Sequence, residues 1–428
     1  MMKQYDFEKM PVVEIVNDIM VDSAKRGASD IHFDPLEDHM QIRIRIDGVL
    51  HNYAIVPNSI KKNLITRIKI ISGMNITESR LPQDGAIKAT LQDINLDLRV
   101  SCIPTNEGEK IVIRILDYSM SLAGIESLGF SQSNYEKILK MIQKPNGIIL
   151  VTGATGSGKS TTVYSILQRL NTEESNIVTV EDPVEMNIEG VNQIQTNSEI
   201  GLTFSNALRS ILRQDPNIIM IGEIRDTETA KIAVRASITG HLVLSTIHTN
   251  NSLNTIERLL DMNVERYLLA SSLEGIVSQV LARKLCPHCK KLRNTNQYEK
   301  DLFKKVLGKD IEQIYTTEGC EECSNGYKGR IAIHEVLLFN QELRDAVSTG
   351  MKKEELRKLV YSFEDTTTLL QDGLEKVVNG LTTFEEVIKL IELEDDEKGS
   401  KAYGLNSAIN NSINHIPDNN PIVINESI

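Results

Sequence analysis

The segment GIILVTGATGSGKSTT, residues 147–162, is the most informative part of the sequence. It begins with a short apolar run at 148–151, and residues 153–160 then match the pattern G-x-x-x-x-G-K-[ST]. A helical pattern follows at 161–170. A strand, a glycine loop and a helix in this order are typical of the phosphate loop of a parallel α/β protein, whereas a chance glycine turn lacks these flanking elements. We therefore predict a nucleoside triphosphate site at this loop.

The residues of this loop each have a physical reason to bind phosphate. Glycines let successive backbone N–H groups turn towards a phosphate chain, and the N-terminus of the next helix adds favourable partial charge. Lys159 is expected to reach the β- and γ-phosphates of ATP, and the Ser160 hydroxyl is expected to ligate Mg²⁺. The predicted nucleotide-binding residues of the loop are Gly153, Thr155, Gly156, Ser157, Gly158, Lys159, Ser160 and Thr161.

Hydrolysis of a bound nucleotide also requires an acidic side chain that polarises water near the γ-phosphate. The apolar run 218–221 is followed by glycine and then Glu223, the form of a Walker B element with glycine at the usual aspartate position. We predict Glu223 as the water-polarising base. The segment EDPVE at 181–185 follows another apolar run, and Glu181 or Glu185 is expected to assist by holding Mg²⁺ or water. A helix cap or a solvated loop is the alternative interpretation of this acidic segment.

Periodic patterns on both sides of the loop divide the chain into domains. Alternating residues at 40–46, 94–102 and 110–116 predict strands, and apolar residues at helical spacing over 11–27 and 60–73 predict helices. Beyond them, helices alternate with apolar strands, which is the pattern of a parallel α/β sheet. The predicted parts are an α+β domain at 1–117, a linker at 118–128, an α/β ATPase core at 129–285, a cysteine module at 286–335, a helical region at 336–395 and a mostly disordered, Asn- and Ser-rich tail at 396–428.

Four of the five cysteines form two C-x-x-C pairs, Cys286 with Cys289 and Cys320 with Cys323. Four thiolates are sufficient for a closed tetrahedral Zn²⁺ site. The gap between the pairs is longer than the common spacing of about 15–20 residues, and it has room for a helix at 298–307. A redox-active dithiol is the alternative, but two C-x-x-C units together favour a metal. We predict that these cysteines bind zinc.

The composition argues against several classes of protein. Lys and Arg number 47 against 59 Asp and Glu, so the net charge is −12. Such a chain is a poor candidate for a general nucleic-acid coat, and we expect no direct nucleic-acid binding, although a local basic patch is compatible with this charge. The sequence has no run of about 18 apolar residues that predicts a membrane-spanning helix. Its polar start lacks the pattern of a secretory signal, so we expect a cytoplasmic protein.

Several further motifs carry a resemblance to a known family. The segments EDPVE, LRQDPNIIMIGEIRD (212–226) and TGHLVLSTIHTN (239–250) resemble the Asp box, Walker B signature and His box of type II secretion and type IV pilus assembly ATPases. Similar N-terminal segments are ASDIHFDP (28–35), RIRIDGVL (43–50), RLPQDGAI (80–87) and RVSCIPTNEGEKIVIRIL (99–116). The resemblance covers roughly residues 10–395.

This resemblance implies a homo-hexamer that hydrolyses ATP, in which each protomer has a PAS-like N-terminal domain and a RecA-like ATPase domain with ATP between them. It implies a motor that drives an inner-membrane platform protein to add pilin or pseudopilin subunits to a fibre. The expected location is therefore the cytoplasmic face of the membrane, and the implied cofactors are ATP, Mg²⁺ and Zn²⁺. Larger members carry an extra N-terminal docking domain, whereas the short form resembles versions that serve competence pili or pseudopili.

The resemblance also extends to single residues. His241 and His248 match His-box positions that sense or position the γ-phosphate, although a lone histidine is more often a packed or surface residue. Arg99 and Arg114 lie on strands whose apolar residues point to the other face, which by itself indicates a solvated surface. The resemblance implies that these two arginines reach the nucleotide. Four more arginines match residues that line the site or the subunit contact: Arg209, Arg213, Arg225 and Arg258.

The cysteine pairs favour the secretion and assembly branch of this family, because its retraction ATPases lack them. The sequence also has no AIRNLIRE-like segment of the kind that marks retraction members. Two alternatives stand beside an assembly motor. One is a retraction or DNA-transport ATPase of the same superfamily, and the other is a non-hydrolysing scaffold that recruits partners when it binds nucleotide.

Overall fold

In the computed structural model of the chain, the described residues are 2–116, 124–363 and 365–396. They form a mixed α/β structure with a six-stranded sheet, a seven-stranded sheet and a two-stranded ribbon, as the sequence predicts. Most of the predicted linker at 118–128 and all but the first residue of the predicted tail at 396–428 lie outside the described residues. Within the described ranges, no helix combines the length and the apolar character that crossing a membrane requires.

The N-terminal sheet is antiparallel throughout and has the spatial order β3-β2-β1-β6-β5-β4. Its strands are β1 (Ala28–Pro35), β2 (His39–Ile46), β3 (Val49–Pro57), β4 (Gln83–Leu91), β5 (Ile94–Thr105) and β6 (Gly108–Leu116). Two helices pack with it, α1 (Val12–Lys25) and α2 (Asn58–Ile71). The helices predicted over 11–27 and 60–73 are therefore present within two residues of their predicted bounds.

The two faces of this sheet follow from alternation along its strands. In β2, Met40, Ile42 and Ile44 are buried in the core, whereas Arg43 and Arg45 point to the opposite face. Successive side chains of a strand point to opposite faces, so a period of two separates an apolar face from a charged one. The charged face is the one that supplies arginines to the candidate site.

The second sheet has the spatial order β15-β12-β7-β11-β10-β8-β9, and a short ribbon of β13 and β14 stands apart from it. Neighbouring strands in this sheet are parallel, except that β15 runs antiparallel to β12. The strands are β7 (Gly147–Thr152), β8 (Ile177–Glu181), β9 (Asn192–Gln195), β10 (Ile218–Ile221), β11 (Leu242–Ile247), β12 (Leu273–Leu285), β13 (Lys290–Asn294), β14 (Gln313–Thr317) and β15 (Tyr327–Leu338).

Helices cover both faces of this sheet. Every residue of β7 and β11 is buried, and alternate residues of β7 pack into two apolar clusters, one on each face. Continuous apolar runs of this kind are typical of parallel strands buried on both sides. The helices are α3 (Gln132–Ile142), α4 (Lys159–Leu170), α5 (Phe204–Ile211), α6 (Thr227–Ile238), α7 (Ser252–Asp261), α8 (Arg266–Ser272), α9 (Gln297–Leu307), α10 (Gln341–Thr349), α11 (Lys353–Val360), α12 (Leu369–Val378) and α13 (Phe384–Asp396).

The cysteine segment is an insertion between two strands of the large sheet. It contains β13, β14 and α9, and α9 corresponds to the helix predicted at 298–307. The range 286–335 that the sequence assigns to the cysteine module also includes most of β15, which pairs along its length with β12. Sequence patterns cannot reveal this pairing, because an antiparallel partner strand is specified by contacts across a long insertion.

Candidate nucleotide-binding site and metal centre

The phosphate loop joins β7 to α4 and occupies residues 153–158. Three of its glycines have positive φ: 149° at Gly153, 81° at Gly156 and 88° at Gly158. A Cβ atom at Gly153 would lie 2.4 Å from the backbone oxygen of Gln279. Glycine is therefore required at this position both by its dihedral angle and by the close approach of β12.

Lys159 and Gln279 hold the loop from its two sides. The Lys159 ammonium donates to the backbone oxygens of Gly153 and Ala154, each at 2.9 Å. Gln279 donates from Nε2 to the backbone oxygen of Ser157 at 2.6 Å. Burial lowers the pKa of Lys159, while the charge of Glu223 acts in the opposite direction. The lysine is thus bonded to groups of the loop itself, which a phosphate chain can replace.

A cavity of about 410 Å³ opens beside the loop. The predicted loop residues Thr155, Gly156, Gly158, Lys159, Ser160 and Thr161 line it. Its other walls include the acidic residues Glu181, Asp182, Glu185 and Glu223, together with His248, Arg114 and Arg330. The cavity therefore brings together most residues that the sequence nominated for phosphate binding and hydrolysis.

Glu223 lies immediately beyond β10 and is 12% exposed. One carboxylate oxygen pairs with Arg225, and the other lies 3.2 Å from Nε2 of His248. Burial is the largest cause that lowers the pKa of His248, and the charge of Lys159 lowers it further. The imidazole is therefore neutral at pH 7. The hydrogen bond with Glu223 raises the pKa of Arg225, so this arginine stays charged.

Tyr164 connects the helix after the loop to the acidic segment at 181–185. Its hydroxyl donates to the carboxylate of Glu181 and accepts from the backbone N–H of Glu185 at 3.1 Å. Thr179 also donates to Glu181, at 2.5 Å. Burial raises the pKa of Tyr164, so the hydroxyl keeps its proton. The sequence analysis missed Tyr164, because a tyrosine in an amphipathic helix looks like an ordinary core residue.

Two arginines reach this region from the N-terminal sheet. Arg99 on β5 and Arg114 on β6 are directly opposite each other in register. Arg99 donates from Nη2 to the backbone oxygen of Val184 at 2.9 Å and pairs with Glu185 at 3.1 Å. Arg114 lines the cavity, is 64% exposed, and holds Asp30 with a Nε–Oδ1 distance of 3.1 Å. Both sheets therefore contribute to one site.

The structure places four predicted site residues away from the cavity. His241 precedes β11, so the length of that strand, about 20 Å for six residues, separates it from His248. Its Nδ1 donates to the backbone oxygen of Ala236 at 2.9 Å. The other three are exposed arginines: Arg209, Arg213 and Arg258. Arg209 pairs with Glu228, and Arg213 donates to the backbone oxygen of Arg209 at 2.8 Å.

The residues that line the cavity have the chemistry to bind a nucleoside triphosphate, and some of them could hold a magnesium ion. Ser157 carries a buried hydroxyl oxygen that has no hydrogen-bond partner among the described residues, but neither Ser157 nor Gly153 lines the cavity. Lys159 supplies a cation with replaceable partners, and Ser160 supplies a hydroxyl that lines the cavity. A hydroxyl at this position and nearby carboxylates are the oxygen ligands that Mg²⁺ prefers.

The four cysteines converge as predicted. Their sulfur atoms all lie within 4.8 Å of one another. The measured sulfur separations are 3.8 Å between Cys286 and Cys320, 3.7 Å between Cys289 and Cys323, and 3.5 Å between Cys320 and Cys323. Four sulfurs at about 2.3 Å from a zinc ion lie about 3.8 Å apart in a tetrahedron. The donor set and its spacing therefore fit Zn²⁺.

Comparison with known proteins agrees with these features. Residues 6–389 match the family model described as type II/IV secretion system protein. The type II secretion system protein E of Dickeya dadantii (strain 3937) is 43% identical over 385 residues, which cover 90% of this chain and 76% of that protein. The type IV pilus assembly ATPase PilB of Thermus thermophilus is also 43% identical over 385 residues, 90% of this chain and 43% of its own length.

Solved structures agree at the level of the fold. The pilus retraction motor PilT with bound ADP is 26% identical with a TM-score of 0.60, and the match covers 87% of this chain and 96% of that one. The ATPase DotB of Legionella pneumophila is 22% identical with a TM-score of 0.67, covering 91% and 98% of the two chains. On the family model and on these relatives together, the chain belongs to the type II/IV secretion system protein family of ATPases.

Proposed function

We propose that this protein is an ATP-hydrolysing motor that powers assembly of a type IV pilus or of a type II secretion pseudopilus. It works as a homo-hexamer at the cytoplasmic face of the inner membrane and acts on a platform protein of the pilus or secretion machine. ATP is its fuel, Mg²⁺ accompanies the nucleotide, and Zn²⁺ occupies the four-cysteine centre. The relatives named as secretion system protein E and as PilB support the assembly role.

The observation that carries this proposal is the composition of the cavity. One space of about 410 Å³ collects a phosphate loop, a carboxylate and an arginine from a separate sheet. When phosphate enters, Lys159 exchanges the two loop oxygens for phosphate oxygens, and the positive-φ glycines aim backbone N–H groups at the same chain. Ser160 would hold Mg²⁺, which would supply neutralisation of negative charge on the bound phosphates.

Glu223 is the general base in this proposal. One of its carboxylate oxygens is paired with Arg225, and the other faces His248 and the cavity. That second oxygen accepts a proton from water as the water attacks the γ-phosphate. A neutral His248 orients this carboxylate without neutralising its charge, because its pKa is lowered by burial. Glu181 is committed to Tyr164 and Thr179, so its role is to fix the acidic segment.

Arg99 and Arg114 couple hydrolysis to movement. A phosphoryl transition state spreads negative charge over its oxygens, and an arginine placed against them lowers the barrier. Both arginines lie on strands of the N-terminal sheet, so the position of that sheet decides whether the charge is stabilised. Arg114 has Asp30 as its present partner and exchanges it for phosphate when the sheets close. Turnover therefore depends on one relative position of the two sheets.

The main alternative is a retraction ATPase. The fold of this chain does not exclude that function, because PilT shares the architecture. The gathered cysteines and the protein E relatives both favour assembly. The second rival is a scaffold that binds nucleotide without hydrolysing it. The second oxygen of Glu223, directed towards His248 beside the phosphate loop, argues against a scaffold.

Glu223→Gln tests this proposal. The amide cannot accept a proton from water, so we expect turnover to fall by roughly 100-fold or more. Binding of a fluorescent ATP analogue should persist, because the phosphate loop is unchanged. Glu136→Gln is the matched control, since Glu136 is an exposed glutamate on α3 that bonds to Gln132. Equal turnover in the wild type and in Glu223→Gln would overturn the assignment, and absence of hydrolysis in the wild type would favour the scaffold.

A further inference from the structure

Glu335 is a buried carboxylate that the proposed mechanism does not use. It lies on β15, is 3% exposed, and belongs to the segment following the cysteines. Burying a carboxylate is costly unless hydrogen bonds compensate it. Glu335 accepts hydrogen bonds from the backbone N–H of Ser252 at 3.2 Å and from the hydroxyl of Tyr361 at 3.2 Å, and the Ser252 side chain also bonds to it. The structural question is therefore which neighbouring segment this buried carboxylate positions.

The first of these bonds holds the segment that carries His248. We call residues 248–252 the His248 loop; it connects the end of β11 to the first residue of α7. Glu335 binds the far end of this loop, at Ser252. A negative charge at the N-terminus of a helix is also favoured by the helix dipole. The carboxylate therefore holds the loop where α7 begins.

Two other buried contacts hold the same loop. Thr152, the last residue of β7, contacts the hydroxyl of Thr249 at 2.5 Å and also donates to its backbone oxygen. The Ser252 hydroxyl lies 3.0 Å from that of Ser278 on β12. Ser278 and Glu335 are directly opposite each other on the paired strands, so they face the loop side by side. Strands β7, β12 and β15 thus each contribute one anchor.

The held loop sets the position of His248 relative to the catalytic carboxylate. His248 starts the loop, and its Nε2 lies 3.2 Å from Glu223. The loop spans only five residues and is held at Thr249 and at Ser252, so loss of the Ser252 anchor leaves the Thr249 contact alone to restrain the segment that carries the imidazole. Release of Ser252 would therefore change the pairing of His248 with Glu223.

The second bond of Glu335 extends this connection to the helices after β15. Tyr361 follows α11 directly. Lys353, at the start of α11, pairs with Glu257 on α7 and donates to Asn254 at 3.3 Å. Helix α11 therefore contacts α7 directly and through Glu335. A shift of α11 would reach the His248 loop by two independent routes.

We infer that Glu335 is a positioning residue that holds the His248 loop, and with it the contact of His248 with Glu223, and that Tyr361 links this arrangement to α11. This inference rests on the proposed function, because it assigns a role within that site. It predicts that Glu335 influences the rate of hydrolysis through His248, without contacting nucleotide. Strand β15, the antiparallel partner of β12, would then contribute to the chemistry as well as to the fold.

The test compares Glu335→Ala with Glu335→Gln. Alanine removes the acceptor for Ser252, and misplacement of a catalytic group by about 1 Å costs roughly 10- to 100-fold in rate. We expect kcat to fall by this factor with KM for ATP unchanged. Glutamine keeps an oxygen for the Ser252 N–H, so it should restore most of kcat. Tyr361→Phe removes the second bond and leaves the Ser252 bond in place, and we expect a decrease of about twofold to fivefold.

A double-mutant cycle separates positioning from general destabilisation. If Glu335 acts through His248, adding Glu335→Ala to His248→Ala should change kcat by less than about twofold. Hydrogen exchange of the peptide covering 248–260 should accelerate in Glu335→Ala and return to the wild-type rate in Glu335→Gln. If Glu335→Ala does not fold, Tyr361→Phe with and without His248→Ala decides the same point.

Two results would overturn the inference. One is wild-type kcat in a folded Glu335→Ala protein, and the other is a full additional loss when the substitution is made in His248→Ala. Failure of the proposed function looks different, because hydrolysis would then be absent from the wild type or insensitive to Glu223→Gln. If Glu223→Gln abolishes turnover and Glu335→Ala leaves it unchanged, the inference alone is wrong.

Discussion

The four-cysteine centre and the nucleotide cavity differ in where their residues come from and in how they are paired. All four sulfurs come from one insertion and lie within 4.8 Å of one another. The residues lining the cavity extend along the chain from Arg114 to Arg330 and come from both large sheets. The first site is gathered by a short stretch of chain, whereas the second exists only when distant parts of the fold meet.

The partners of the charged groups differ as well. In the cavity, Lys159 is bonded to loop oxygens, Arg114 to Asp30 and Glu223 to Arg225. Lys159 and Arg114 are cations, so each can exchange its present partner for a phosphate oxygen. The sulfurs mainly contact one another, which suits permanent coordination of a metal. The contacts of the cysteine centre therefore suit a site that remains closed, whereas those of the cavity suit a site that binds and releases a ligand.

Removing one ligand from the four-cysteine centre should have the largest effect on metal content and on local stability. In Cys286→Ser, three thiols remain, and we expect the zinc content to fall from about one ion per chain to near zero. Binding of structural zinc contributes of order 10 kcal/mol to folding of its module, so the segment 286–323 should lose its hydrogen-exchange protection. Metal analysis and exchange mass spectrometry measure both quantities.

Cys102→Ser is the matched control for this substitution. Cys102 is fully buried in the N-terminal sheet and is not part of the cysteine cluster. Its replacement should leave the zinc content unchanged. A folded, fully protected Cys286→Ser protein without metal would contradict the assignment, and so would a metal-free wild type.

The two sites also differ in how well the sequence predicts them. The phosphate loop and the cysteines were identified because their spacing is local: eight residues for the loop and two C-x-x-C pairs for the metal. Glu223 can be predicted as a site residue because it follows a buried strand with one glycine between them. Helix α1 was predicted at 11–27 and is observed at Val12–Lys25, since its apolar residues recur every three to four positions.

The remaining features depend on contacts that no local pattern contains. Tyr164 and Glu335 look like an amphipathic helix residue and a strand residue, and only the fold brings them to Glu181 and Ser252. Asp30 lies far along the chain from Arg114, and the register of β1 against β6 makes them partners. His241 and His248 belong to one motif, but they lie at opposite ends of the strand between them.

The second prediction concerns the arginine that the N-terminal sheet contributes to the cavity. In the proposed mechanism Arg114 stabilises the negative charge that develops on the γ-phosphate, so we expect Arg114→Ala to lower kcat by roughly 10-fold or more. Binding of ADP, which lacks that phosphate, should change little. Steady-state kinetics and ADP titration separate the two effects.

Arg45→Ala is a stringent control for Arg114→Ala. Both arginines pair with Asp30, at 3.8 Å for Arg45 and 3.1 Å for Arg114, but only Arg114 lines the cavity. We expect Arg45→Ala to retain wild-type kcat. If both substitutions reduce kcat equally, the effect arises from the ion-pair network of the sheet, and the cavity is then not completed by Arg114.

A buried polar side chain, that of His334, belongs to neither centre. His334 on β15 is fully buried and stacks on Phe130 with ring centroids 3.8 Å apart. Neither ring nitrogen has a hydrogen-bond partner among the described residues. Burial, and then the charge of Lys376, lowers the pKa of His334 well below its ordinary value. The folded protein therefore holds this imidazole neutral.

The smallest predicted effect follows from this imidazole. An unfolded chain protonates the histidine near pH 6.5, whereas the folded chain does not, so stability should decrease as the pH falls below about 6.5. His334→Phe removes the unpaired nitrogens and should raise the free energy of unfolding by about 1 kcal/mol at pH 7 and flatten its decrease towards pH 5.5. Denaturant titrations at both pH values measure this, with the half-exposed His39→Gln as control. If the free energy of unfolding of His334→Phe depends on pH as in the wild type, another group causes the acid sensitivity. A large loss of turnover would show that His334 also takes part in ATP hydrolysis.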